Sequence, residues 1–112
     1  MALQTVSGNI VLLRVNDVND VYGPPGDNMR VEVVVRLDSM AEGAASGFQL
    51  RTGAAQPARE GMLRLLRDAL AHGWRVSFDH DIAPGKTKGR IIRVWVTKQQ
   101  AQRSIGDIAI ER

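Results

Sequence analysis

"PAREGMLRLLRDALAHG", residues 57–73, is the one stretch with unmistakable helical periodicity, and its place between strands decides the fold. Met62, Leu63, Leu66, Ala69 and Leu70 recur at helical spacing and form an apolar stripe. Arg59, Arg64, Arg67 and Asp68 fill most of the remaining surface. Pro57 suits a first turn, where its missing N–H has no helical partner. Gly73 stands where a left-handed residue ends a helix. The spacing therefore predicts one helix, from about Pro57 to His72.

Upstream, the pattern changes to strands. "IVLLRV", residues 10–15, is short and β-branched. "MRVEVVVRLD", residues 29–38, alternates with a period of two: Val31, Val33, Val35 and Leu37 on one face, Arg30, Glu32, Val34 and Arg36 on the other. Between them lies "NDVNDVYGPPGDN", residues 16–28, whose Asn, Asp, Gly and Pro favour a long loop. A flexible "SMAEGAASG" leads to a short strand around Phe48–Arg51.

Downstream, residues 74–81 alternate Trp74, Val76 and Phe78 against Arg75, Ser77 and Asp79. Residues 90–97 alternate Ile92, Val94 and Val96 against Ile91, Arg93, Trp95 and Thr97. The Gly-rich segment 84–89 can join the two as a hairpin, with Pro84, Gly85 and Gly89 shaping the turn. Trp74 and Phe78 are assigned to the core. Residues 99–112 read as an extension, either an added strand or a loose tail.

The expected class is mainly β with one helix, in the order β-β-β-α-β-β. That order resembles the OB-fold, a five-stranded Greek-key barrel. The resemblance covers residues 5–97 and is one of topology, without a motif. It implies that the helix plugs one end of the barrel, with Met62, Leu66 and Leu70 against the floor. An α+β sandwich with the helix on an open sheet is the competing architecture.

At 112 residues the chain suits a single domain with one modest core, placed at residues 1–98. It has no Cys, which excludes disulfides, thiolate metal sites and a Cys nucleophile. The N-terminal residues lack the pattern of a signal peptide, and no apolar run approaches a membrane span. A cytoplasmic location is the expectation, with no membrane partner.

The net charge of +3 is unevenly spread. Residues 1–56 hold four Arg against six acids, and residues 57–112 hold eleven Lys or Arg against six. Lys86, Lys88, Arg90, Arg93, Lys98 and Arg103 follow one another without an intervening acid. Such a one-sign field attracts polyanions or simply keeps the surface soluble.

No catalytic motif is complete. Gly85-Lys86-Thr87 resembles the end of a phosphate loop, but His80 occupies the position of the leading Gly, and a strand follows instead of a helix. Ser46 in "GAASG" is one position off a nucleophile elbow. His72 suits a helix C-terminus without further explanation. His80, between Asp79 and Asp81, lacks a second ligand at a defined spacing. Asp17, Asp20 and Asp27 lack the ligand order of an EF-hand loop and read as turn caps. No enzyme activity, metal or cofactor is expected.

The final hairpin is the better candidate. Lys86, Lys88, Arg90 and Arg93 would neutralise phosphates, while Trp95 and Tyr22 would stack bases. OB-folds bind through strands 2–3 and the loops joining strands 1–2 and 4–5. The leading expectation is therefore a non-enzymatic domain for single-stranded nucleic acid. The alternative is an oligomeric glycan- or protein-binding module, similar in topology to bacterial toxin B subunits, with Trp95 and Ile91 buried between subunits.

Overall fold

The computed structural model describes residues 2–51 and 53–98. Five strands close into a barrel: β1 (Ala2–Val15), β2 (Val33–Leu37), β3 (Ala45–Phe48), β4 (Arg75–Ile82) and β5 (Lys88–Trp95). The helix α1 (Gln56–His72) lies between β3 and β4, giving the order expected of an OB-like Greek-key barrel. Neighbours around the barrel run β1-β2-β3-β5-β4, and β1 pairs with β4 to close it. Every ladder is antiparallel except β3–β5. Residues 99–112, read above as an extension, lie outside the described residues.

Strand β1 begins well before the expected Ile10. Its first half pairs with β4, from Ala2↔Ile82 to Asn9↔Arg75, and its second half pairs with β2, from Ile10↔Leu37 to Val15↔Val33. One strand thus serves both sides of the barrel. Polar residues on the early half are compatible with a strand because they have partners on the outer surface. Ser7 and Ser77 hydrogen-bond at 2.7 Å, and the Thr5 hydroxyl donates to Asp79.

The interior is filled by Ile10, Val33, Val35, Leu37, Phe48, Val76, Phe78 and Ile91, all buried. From α1, Leu66 and Ala69 enter this core fully, and Met62 and Leu63 pack against it. Leu70 does not: it is 47% exposed, in the last turn of the helix. Gly73 ends the helix in the left-handed conformation, its N–H reaching the carbonyl of Ala69.

Three face assignments differ from the alternation expected along the strands. First, β2 starts only at Val33, so the two-residue period does not carry back to Val31. Val31, Val34 and Ala45 form a second apolar cluster outside the main core, covered by Leu12, Tyr22 and Met29. The loop after β1 folds over the sheet, and Val34, which shares its expected face with Arg30, Glu32 and Arg36, is fully buried. Tyr22 and Met29 exchange backbone hydrogen bonds of 2.8 and 2.9 Å that hold this cover in place.

Second, β5 carries a bulge. Asp79 pairs with Arg93 but His80 pairs with Ile91, so Ile92 has no partner. An extra residue of this kind inverts the faces on one side of it. Ile91, expected outside, is therefore fully buried, and Ile92, expected inside, is 37% exposed. Third, Trp74 precedes β4 and stays outside, 42% exposed, stacked on His72 at 4.9 Å between ring centroids.

Strand β3 is also displaced, to Ala45–Phe48, from the expected position at residues 48–51. The small residues read as flexible are required by close packing. A Cβ on Gly47 would lie 2.3 Å from the Val33 carbonyl oxygen. The segment after Phe48 leaves the sheet, and the buried Glu32 carboxylate accepts from the backbone N–H groups of Leu50 and Arg51.

Candidate nucleic-acid interface

Two loops flank the outer face of the barrel, residues 16–32 before β2 and residues 83–87 between β4 and β5. Asp27 ties them together. Its carboxylate accepts from the Thr87 N–H at 2.9 Å and the Thr87 hydroxyl at 2.6 Å, and lies 3.8 Å from the Lys88 ammonium. Lys86 donates to the Gly26 carbonyl across the same junction. The two Thr87 hydrogen bonds, with Lys88 and Lys86 nearby, hold the Asp27 carboxyl below the usual carboxylate range. Asp17 and Asp20 cap turns earlier in the loop, through the N–H groups of Val18 and Val21.

Beside this junction opens a cleft of about 720 Å³. Five cations line it: Arg30 ahead of β2, Arg59 in the first turns of α1, Lys86 in the β4–β5 loop, and Lys88 and Arg90 on β5. Arg30 donates to the Asn19 carbonyl at 2.6 Å and Arg59 to the Gln49 carbonyl at 3.1 Å. Carbonyl partners orient these side chains but leave their charge uncompensated. Lys88 differs, since it faces Asp27, donates to the Gly43 carbonyl at 2.9 Å, and keeps only 7% of its side chain exposed.

The structure thus brings Lys86, Lys88 and Arg90 together, as the sequence suggested, and separates the other three candidates from them. Arg93 is paired with Asp79 at 2.8 Å. Trp95 is half-buried opposite Ser77, toward the far end of the β4–β5 ladder. Tyr22 is half-buried against the second apolar cluster, with the Arg14 guanidinium 5.4 Å and the Lys88 ammonium 6.0 Å from its ring centre. None of the three lines the cleft. Arg30 and Arg59 were missed. Each is an isolated cation in sequence, and only barrel closure sets them beside the hairpin.

Inside the barrel, Ser46 and His80 hydrogen-bond across β5. They meet there because Gly89, on the strand between them, has no side chain: a Cβ at that position would lie 2.7 Å from His80 Nδ1. Gly89 therefore belongs to β5 and not to the turn. Both partners are buried, Ser46 completely, so this pair offers no nucleophile to a substrate.

Burial pushes the His80 pKa down, against the pull of Asp79 and Asp81. A histidine held neutral in the fold stabilises it fully above the unfolded value of about 6.5, and that contribution is lost as pH falls through the lower folded value. Urea-unfolding stability is therefore expected to hold steady above about pH 6.5 and decline below it. His80→Gln should flatten that part of the profile. A wild-type profile level from pH 7 down to pH 5 would contradict the assignment.

Among the described residues, no helix is long and apolar enough to cross a membrane. Comparison with protein-family models, characterised proteins and solved structures returned no match to this chain.

Proposed function

We propose that this protein binds single-stranded nucleic acid non-enzymatically, in the basic cleft between its two loops. The carrying observation is the convergence of Arg30, Arg59, Lys86, Lys88 and Arg90 on one cleft whose lining includes a single acid, Asp81. Neutralising phosphates releases condensed counterions, so cations so grouped favour a polyanion in a salt-dependent way. The cleft also lies between the two loops, joining strands 1–2 and 4–5, through which OB-like barrels bind oligonucleotides, although no residue of β2 or β3 lines it. The base-stacking part of the expectation is weaker, because Trp95 and Tyr22 stand outside the cleft. Phosphate contacts therefore carry most of the affinity.

Fluorescence anisotropy with a labelled ten-nucleotide oligothymidylate tests this. Three to four phosphate contacts predict a slope of roughly −2 to −3 for log K against log salt. Replacing Arg30, Arg59 and Arg90 together with Ala should weaken binding by roughly 100-fold at low salt and flatten the slope by about 2. Arg93→Ala with Trp95→Ala, outside the cleft, should change affinity by less than about threefold on the same reasoning. Absence of binding at low salt, or a triple variant that binds as well as the parent, would refute the proposal.

A second reading, the glycan- or protein-binding assembly module, draws on the half-exposed Trp74. Its indole borders a separate groove of about 620 Å³ with Asn9, Arg75, Val96 and Lys98. Light scattering distinguishes the two, since a stable ring-sized oligomer supports assembly and a monomer removes that support.

A further inference from the structure

Asp81 is out of place in the basic cleft. A carboxylate there opposes a phosphate backbone, yet it sits on β4 directly across from Arg90 without forming an ion pair. Its Oδ1 is shut off from solvent and receives no hydrogen bond from any described residue. The other enclosed acids of the barrel are supplied with donors. Asp79 accepts from Thr5 and Arg93, and Glu32 accepts from two backbone N–H groups. An enclosed acceptor without a donor requires a reason. Asp81 itself is only half-buried and lines the cleft.

We propose that Asp81 reads a base, and that the base is guanine. This rests on the cleft being a nucleic-acid site. An ionised carboxylate only accepts hydrogen bonds, and its two oxygens suit two parallel donors. On the Watson–Crick edge, guanine alone presents two adjacent donors, N1–H and the 2-amino group. Thymine and uracil present one N–H between two carbonyls, cytosine an amino group beside an acceptor nitrogen, and adenine an amino group beside another. Each of those edges sets an acceptor against the carboxylate. Single-stranded bases expose this edge to protein side chains. The terminal torsion of Asp is soft, so rotation about it would present both oxygens, the enclosed one included, to an edge lying in the cleft. Arg59, Arg30 and Lys86 would then hold the flanking phosphates, leaving the single carboxylate to select among bases.

The test compares oligothymidylate with the same oligomer carrying three central guanines, and with inosine in place of those guanines. Inosine keeps N1–H and lacks the 2-amino group. The parent protein should prefer the guanine oligomer by roughly tenfold, within the range for one bidentate base contact. Inosine should lose most of that preference. In Asp81→Asn the preference should vanish while affinity for plain oligothymidylate rises, because a negative charge has left the cleft. A merely structural role for Asp81 predicts no such opposite movement. Equal binding of all three oligomers by the parent overturns base reading and leaves the phosphate-binding proposal intact. Failure to bind any of them at low salt removes both. If Asp81→Asn does not fold, the inosine comparison on the parent protein decides alone.

Discussion

Phe48→Ala is expected to be the most damaging single truncation in the barrel, lowering stability by about 3–5 kcal/mol. Phe48 is fully enclosed and stands opposite Val33 in the β2–β3 ladder. Strand β3 has only four residues, and it alone joins β2 to β5. The cavity left by the ring would open at the weakest seam of a closed sheet, where little else can relax into it. Domains of this size have about 5–15 kcal/mol of total stability, so a large share of the margin would go. The melting temperature should fall by about 15–30 °C. Urea unfolding followed by tryptophan fluorescence measures this directly. A loss below about 1 kcal/mol would show that Phe48 is not the centre of the core.

Gly89→Val should come next, for the opposite reason. A side chain there meets His80 Nδ1 at 2.7 Å and Ile82 Cγ1 at 2.8 Å before any γ-carbons are counted. Overpacking of this kind typically costs about 1–3 kcal/mol. Breaking the Ser46–His80 hydrogen bond would leave two enclosed polar groups unfilled, adding roughly 1–3 kcal/mol. Ser46→Ala, which removes the bond without adding bulk, separates the contributions. It should show at most the second loss, since only His80 is then left without its partner, and the Gly89→Val deficit should exceed it clearly. Equal losses in the two variants would mean that the strands move apart freely and that close packing at Gly89 is unimportant.

What could be read from the residues follows how local each signal was. The helix was legible because its stripe, Pro57 and Gly73 agree within one continuous segment. The strands flanking the last hairpin were legible because alternation there is strong. Faces were less so. Ile91 and Ile92 are interchangeable in composition, and which one enters the core depends on a bulge against β4. Val34 shares its expected face with Arg30, Glu32 and Arg36, and nothing in that pattern shows that Tyr22 and Met29 fold over it. Strand β3 was hidden because Ala-Ser-Gly is a poor strand former, selected here by the nearness of the Val33 carbonyl. The candidate site divides in the same way. Lys86, Lys88 and Arg90 are a contiguous signal, whereas Arg30, Arg59 and Asp81 join them only through the topology. Arg93 and Trp95 are close to those lysines in sequence but lie further along a strand, which carries them away from the loops.

The double duty of β1 has a kinetic consequence. Its early half finds its ladder in β4, with Thr5 and Asp79 separated by 74 positions in the chain. Closing so large a loop is entropically demanding, and domains dominated by distant pairings fold slowly, in milliseconds to seconds. On a ribosome, residues 2–9 must wait for that ladder until the chain through Ile82 has emerged. The later half of β1 can meet β2 much sooner. Assembly should therefore begin at the β1–β2 hairpin and finish when the other end of the same strand seals the barrel.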